Sequence, residues 1–152
     1  MTPSDATQSP THSALYRRVL ASFERQGMMR HLGVRLLDVG PGTCELAMPY
    51  SDKVTQQQGG FHGGAMGALA DIAGGYAALT VAPDGMEVTT VEYKINFLAA
   101  MRHGELRAIG RVVRAGKRII VTTATVAHHG EDGQQADCAV MQQTLVPVPK
   151  TY

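Results

Sequence analysis

The chain is short of charge: only 18% of its 152 residues are Asp, Glu, Lys or Arg, and the formal net charge is +1. Neither sign is gathered into a block. Proteins that bind duplex nucleic acid normally carry a basic stripe or a recognisable reading motif, so nucleic acid is not expected as a partner. Long apolar runs are lacking as well. No stretch reaches the roughly 20 residues that a membrane-spanning helix needs. Met1 to Ser13 is polar, holds Pro3 and Pro10, and has no apolar segment of the signal-peptide type. The expectation is a cytoplasmic protein without membrane contact. Cysteine is scarce too. Cys44 and Cys138 stand far apart with no histidine or second cysteine beside them, as small buried hydrophobes of a reducing compartment do. His128 and His129 are adjacent, so in a strand they point to opposite faces, and Glu131 and Asp132 follow in a turn. No metal site is expected.

What remains suits one globular domain. Hydrophobic residues make up 44%, enough to bury a core at a length close to the commonest domain size. Residues 1–11 read as a flexible tail and 12–150 as a single domain. From His12 to Arg30, Leu15, Val19, Leu20, Phe23 and Met28 recur at helical spacing, which predicts one amphipathic helix. Gly33–Val39 and Thr43–Pro49 read as strands joined at Gly40-Pro41-Gly42. A polar loop over Ser51–Phe61 leads into an alanine-rich segment, Gly63–Val81, that is too long for a strand and reads as a buried helix. Val88–Leu98, Glu105–Arg114, Arg118–His128 and Gln135–Val146 alternate Val, Ile and Thr in the manner of strands. The Gly63–Val81 helix is the one element apolar enough to cover such a meander. The predicted class is α+β, with a curved antiparallel sheet wrapped around one long central helix.

Charge is absent where it matters most. Between Lys53 and Asp84 the only side chain ordinarily charged at neutral pH is Asp71, with His62 as a possible partner. A carboxylate in a core helix is costly unless paired or functional. On a helical wheel of 100° per residue, Gly64, Gly67, Ala68, Gly74, Gly75 and Ala78 share Asp71's direction. Met66, Leu69, Ile72 and Tyr76 lie opposite and are expected to pack on the sheet. Asp71 therefore stands on a smooth strip that another backbone or a thin ligand can approach. Burial raises a carboxyl pKa, and such a group can serve as a base or as a nucleophile.

The helix start supplies a complementary feature. Phe61-His62-Gly63-Gly64 places free amides and the positive dipole end where an oxyanion can be received. Gly63 and Asp71 are eight residues apart, about 12 Å along a helix at ~1.5 Å per residue. One carbonyl cannot touch both on the same helix. If both act on one bond they come from two chains, which implies a homodimer with two shared sites.

At this point the residues resemble a known group. Gln56-x-x-Gly59-x-x-His62-Gly63-Gly64 followed by Asp71 is similar to the motif of hotdog-fold thioesterases of the phenylacetate-pathway (PaaI-like) type, where asparagine usually opens the run. Thr90–Leu98 looks like that family's third strand, and Arg114–Arg118 like the turn after its fourth. The resemblance spans roughly Gly33 to Pro147. It implies a hotdog domain acting as an acyl-CoA thioesterase, as a dimer or a dimer of dimers. No cofactor is implied, since coenzyme A is part of the substrate. Asp71 would be nucleophile or general base, and Gly63 would donate its N–H to the thioester oxygen. His62 would orient the loop, Gln56 would polarise the carbonyl in place of the asparagine, and Thr90 would hold the attacking water. Gly59, Phe61 and Gly64 would shape the substrate site, and Lys117 and Arg118 would meet coenzyme A phosphates. Two departures stand out: Gln56 itself, with Gln57 and Gln58 as alternative carriers of its role, and Leu98-Ala99-Ala100 where Leu-Arg-Pro is common. A hotdog dehydratase and a non-catalytic acyl-CoA-binding protein are the alternatives.

Overall fold

The computed structural model describes residues 13–152; the tail expected over residues 1–11 lies outside them. Ser13 opens the first helix, α1 (Ala14–Phe23), by accepting a hydrogen bond from the Tyr16 N–H at 2.9 Å, which satisfies one of the orphan amides of a first turn. The single helix expected up to Arg30 is in fact two. The chain turns after Phe23, with Gln26 N–H on Phe23 O at 3.0 Å, and re-enters a short helix, α2 (Gly27–Leu32). The apolar phase slips at this break: Met28, counted on the apolar face, is 57% exposed, while Met29 is buried. Gln26, released from the helix, donates its side-chain amide to the Tyr76 hydroxyl at 2.7 Å. Gly33 closes α2 in the left-handed conformation at φ 71°.

The strands follow the expected alternation to within three residues at each end. They are β1 (Arg35–Gly40), β2 (Thr43–Pro49), β3 (Met86–Phe97), β4 (Glu105–Ala115), β5 (Ile120–His129) and β6 (Gln135–Pro149). All pair antiparallel in one six-stranded sheet of order β1-β2-β4-β5-β6-β3. Across it lies α3 (Gly63–Leu79), whose Leu69, Ala70, Ala73, Ala77 and Ala78 are fully buried. The helix sits close because β4 presents Gly110 beneath it. A Cβ there would lie 2.1 Å from the Ala73 carbonyl oxygen, so no side chain fits between helix and sheet. Both cysteines are buried and free. Burial pushes their thiols up, to about 12 for Cys44 and about 11 for Cys138, which leaves them unreactive at neutral pH.

One irregularity serves the site. In β3 the pairing with β6 shifts between Thr90 and Glu92, so that Thr90 faces Leu145 and Tyr93 faces Gln143, with Val91 as the extra residue. A bulge of this kind resets which side chains point inward. It lets Thr90 before it and Tyr93 and Phe97 after it all face α3, where they meet Asp71, Gly67 and Gly63. β3 is also an edge strand, and Val91, Tyr93 and Phe97 are 61%, 44% and 51% exposed.

Candidate active site

Asp71 sits at the middle of α3, half-buried, in a cavity of about 320 Å³. The walls include Ile72, Gly75 and Tyr76 of α3, Glu87 to Thr90 of β3 and Leu145 of β6, with Ser22 and Gln26 reaching over from the α1–α2 segment. Thr90 Oγ1 donates to Asp71 Oδ1 at 2.8 Å. Burial pushes the Asp71 carboxyl above the ordinary value of 3.8, and the Thr90 hydrogen bond opposes that rise. Thr90, which the resemblance assigns to holding the attacking water, is hydrogen-bonded to Asp71 itself. The recorded partners of Asp71 are a hydroxyl and an amide, not a cation.

The amide belongs to Gln143, a residue that the sequence reading missed. Gln143 Nε2 reaches Asp71 Oδ1 at 2.5 Å, the Asp71 carbonyl oxygen at 3.2 Å and Thr90 Oγ1 at 2.8 Å, while Gln143 Oε1 accepts from Thr122 Oγ1 at 3.0 Å. Gln143 and Thr122 are the two fully buried polar side chains among the described residues. The signal was available in the strand periodicity. Ala139, Met141 and Leu145 point inward on β6, and Gln143 shares their parity.

At the other end of the same helix, a separate cleft of about 370 Å³ opens on Gly63. Gln56, Phe61, Met66, Phe97 and Leu98-Ala99-Ala100 line it. His62 caps α3 by accepting the Gly64 N–H on Nδ1 at 2.8 Å, so the proton of the neutral ring sits on Nε2. Gly64 N–H is thereby spent. Gly63 N–H has no recorded acceptor among the described residues and borders the cleft. The loop before it is clamped on several sides. Gly59 turns the chain at φ 83° and its carbonyl accepts from the Tyr50 hydroxyl at 2.6 Å. Phe61 N–H bonds Met101 O at 2.9 Å, and His62 N–H bonds Val54 O at 2.7 Å. Arg102 holds the Gln58 carbonyl at 2.5 Å. Gln56 Oε1 accepts the Gln58 N–H, which fixes the amide at the cleft wall. It is Gln56, not Gln57 or Gln58, that lines the cleft.

Other expectations need correction or relocation. The strip around Asp71 is not a uniformly open face. Gly74 turns toward the sheet, where a Cβ would lie 2.1 Å from Gln143 Oε1, and Gly67 lies under the Tyr93 hydroxyl. Ile72 and Tyr76, assigned to the sheet side, do pack with the core but also line the Asp71 cavity. Phe61 is 3% exposed and packs edge-on against Tyr50, so it is as much core as wall. Lys117 and Arg118 stand exposed at the tip of the β4–β5 hairpin and line neither cavity. The register Ile120–Leu145–Thr90 places that tip beyond the level of Thr90, at the end of the sheet where β3 begins.

Residues 58–134, which include α3 and strands β3 to β5, match the family model "Thioesterase superfamily". The chain belongs to the thioesterase superfamily. Its hotdog fold is the expected one. A Silicibacter pomeroyi thioesterase family protein is 36% identical and superposes with a TM-score of 0.86 over 90% of this chain and 100% of that one. The Saccharolobus solfataricus protein named "Putative esterase SSO2140" is 38% identical over 94 residues, 62% of this chain and 66% of that protein. This thioesterase-superfamily chain therefore spans about two thirds of that relative's length. The 1,4-dihydroxy-2-naphthoyl-CoA hydrolase of Escherichia coli is 29% identical over 91 residues, 60% of this chain and 67% of the hydrolase.

Proposed function

We propose that the protein is an acyl-CoA thioesterase whose sites are shared between two protomers, with Asp71 as general base. The observation that carries this reading is the Asp71 carboxylate, hydrogen-bonded to Thr90 at the wall of a cavity. The Thr90 hydroxyl already gives its proton to Asp71 and accepts one from Gln143, which leaves it one lone pair. A water that donates to that lone pair and to the outer carboxylate oxygen has its own lone pair aimed into the cavity. Asp71 takes the water's proton as the oxygen attacks the thioester carbonyl. The resulting oxyanion is received by Gly63 N–H of the other protomer, with the Gln56 side-chain amide beside it. Collapse breaks the C–S bond, and the departing coenzyme A thiolate recovers the proton from Asp71, giving the free acid and the thiol.

Two features support the shared site. Asp71 and Gly63 open onto separate cavities of one chain and stand about 12 Å apart along a continuous helix. The exposed apolar residues of edge strand β3 supply a surface for the second copy. Lys117 and Arg118, exposed at the hairpin tip, are assigned to the phosphates of coenzyme A. The name of the Escherichia coli hydrolase supports a coenzyme A thioester as the substrate class. No helix among the described residues is long and apolar enough to cross a membrane.

The test is thiol release from short, medium, long, phenylacetyl and benzoyl coenzyme A thioesters, with Asp71→Ala beside the wild type. Release that disappears in the variant is expected. Binding of every thioester with no release from any would replace the enzyme with a binding protein, and a dehydrated acyl product would replace it with a dehydratase.

A further inference from the structure

Gln143 occupies a position that the fold otherwise gives to apolar residues. Its neighbours of the same parity on β6 are Ala139, Met141 and Leu145, and its cross-strand partner on β5 is Thr122, set among Ile120, Ala124 and Val126. A buried amide without partners is costly, and here every polar atom of the pair is used. We propose that Gln143, locked by Thr122, is a positioning residue that aims the Asp71 carboxylate into the cavity and keeps it a hydrogen-bond acceptor. This rests on the reading of Asp71 as the catalytic base.

The orientation of the amide is forced. Three acceptors (Asp71 Oδ1, the Asp71 carbonyl and Thr90 Oγ1) surround one end of Gln143, and the Thr122 hydroxyl lies at the other. The flipped amide would press its oxygen against three oxygens. With Nε2 inward, one group grips both the backbone and the side chain of Asp71, which fixes the carboxylate's direction. All the donated protons run one way: Thr122 to Gln143, Gln143 to Thr90 and Asp71, Thr90 to Asp71. Such a chain strengthens each of its members. It also favours the ionised carboxylate, since a proton on Oδ1 would meet the donors of Thr90 and Gln143.

The helix is built around this amide. Gly74, one turn after Asp71, would carry its Cβ 2.1 Å from Gln143 Oε1 and 2.7 Å from Thr122 Oγ1. A glycine inside a helix is less favourable than alanine, and the space it leaves is filled by Gln143 and Thr122. The other titratable groups on the cavity are Glu87 of β3 and Tyr76 of α3; the α1–α2 segment contributes Ser22 and Gln26, and β6 contributes Leu145. None of these changes when Gln143 does, so a shift on substitution reports the amide.

The decisive measurement is the titration of the Asp71 carboxyl by carbon-13 NMR in the free protein, assigned by its loss in Asp71→Asn. It is followed in wild type, Gln143→Met, Thr122→Val and Thr122→Ser. The midpoint should rise in Gln143→Met, rise less in Thr122→Val, and return to the wild-type value in Thr122→Ser, which keeps the hydroxyl. The acid limb of kcat/KM should move with it. In Gln143→Met, kcat should fall about 10- to 100-fold, the range of a hydrogen bond to a charged group, with KM little changed. An unmoved carboxyl titration and acid limb, with only thermal stability reduced, would make Gln143 a structural residue and overturn the proposal. If Gln143→Met fails to fold, Thr122→Val, which leaves the amide in place, decides by the same readings. A wild type that releases no thiol would remove the thioesterase reading alone, because the carboxyl titration needs no substrate.

Discussion

Asp71 is where the physical cost of burial and the chemistry proposed for this protein meet. Its carboxyl is raised above 3.8 chiefly by burial, and Thr90 pulls the other way. A general base works only when ionised, so kcat/KM should fall as pH drops through this raised pKa, with an acid limb above that of a free aspartate. Asp71→Ala should lower kcat by about 10²- to 10⁴-fold, the usual contribution of a positioned base. The same shift predicts a stability effect of opposite sense. A carboxyl whose folded pKa exceeds its unfolded pKa binds its proton more tightly in the folded state. The ionised form therefore costs stability at neutral pH, and that cost fades as pH falls toward the unfolded value. Asp71→Asn keeps the oxygen that accepts from Thr90 and Gln143 and removes the charge. Thermal melts at pH 7 should show a higher Tm for this inactive variant than for wild type, with the gap narrowing as pH falls toward 4. A lower Tm at pH 7 would mean that the carboxylate is better satisfied than its burial implies.

At the scale of elements, the site depends on how closely α3 lies on the sheet. A Cβ on Gly110 of β4 would strike the helix backbone at Ala73 and Gly74, two and three residues after Asp71. Gly110→Ala should force the helix off the strand, at a cost typical of overpacking, about 1–3 kcal/mol or more. Urea denaturation would read that loss, and turnover should fall with it as Asp71 is carried away from Thr90. The elements themselves were legible because their patterns are strong. β5 alternates Ile120, Thr122, Ala124 and Val126 inward, and the α3 segment is too long and too rich in alanine for a strand. Asp71 was legible because nothing charged surrounds it. The break between α1 and α2 was not, since the apolar spacing runs through it and only Gln26's bond to Tyr76 shows why the chain turns. Gln143 was hidden by its neighbour. Gln142 and Gln143 read as one polar pair, and only strand parity tells that the second faces the core. The strip of small residues reads as one open face in the sequence, whereas Gly74 and Gly67 lie against Gln143 and Tyr93 of the same chain.

At the scale of the whole molecule, the arrangement of Gly63 and Asp71 makes a prediction that no single-chain site can satisfy. Gly63 is the first residue of α3, preceded by His62 at φ −70° and ψ 135°. Proline is tolerated at a first helical position and accepts an extended residue before it, so Gly63→Pro removes the proposed oxyanion donor without breaking the helix. The nearest obstruction to a side chain there is the tip of the Phe97 ring, 3.2 Å from the Cβ position, and Phe97 is half exposed and free to shift. Asp71→Ala and Gly63→Pro should each be nearly inactive as homodimers. In a mixed dimer of the two, one site joins the intact Gly63 of the first chain to the intact Asp71 of the second, while the other site lacks both. Co-refolding equal amounts with random pairing makes about half the dimers mixed, each with one working site of two, and so restores about a quarter of the wild-type rate. Activity would be read as thiol release after refolding, beside each variant refolded alone. A mixture that stays at the sum of its inactive parents, while size measurements show that dimers have exchanged, would place Gly63 and Asp71 in separate roles and end the case for a shared site.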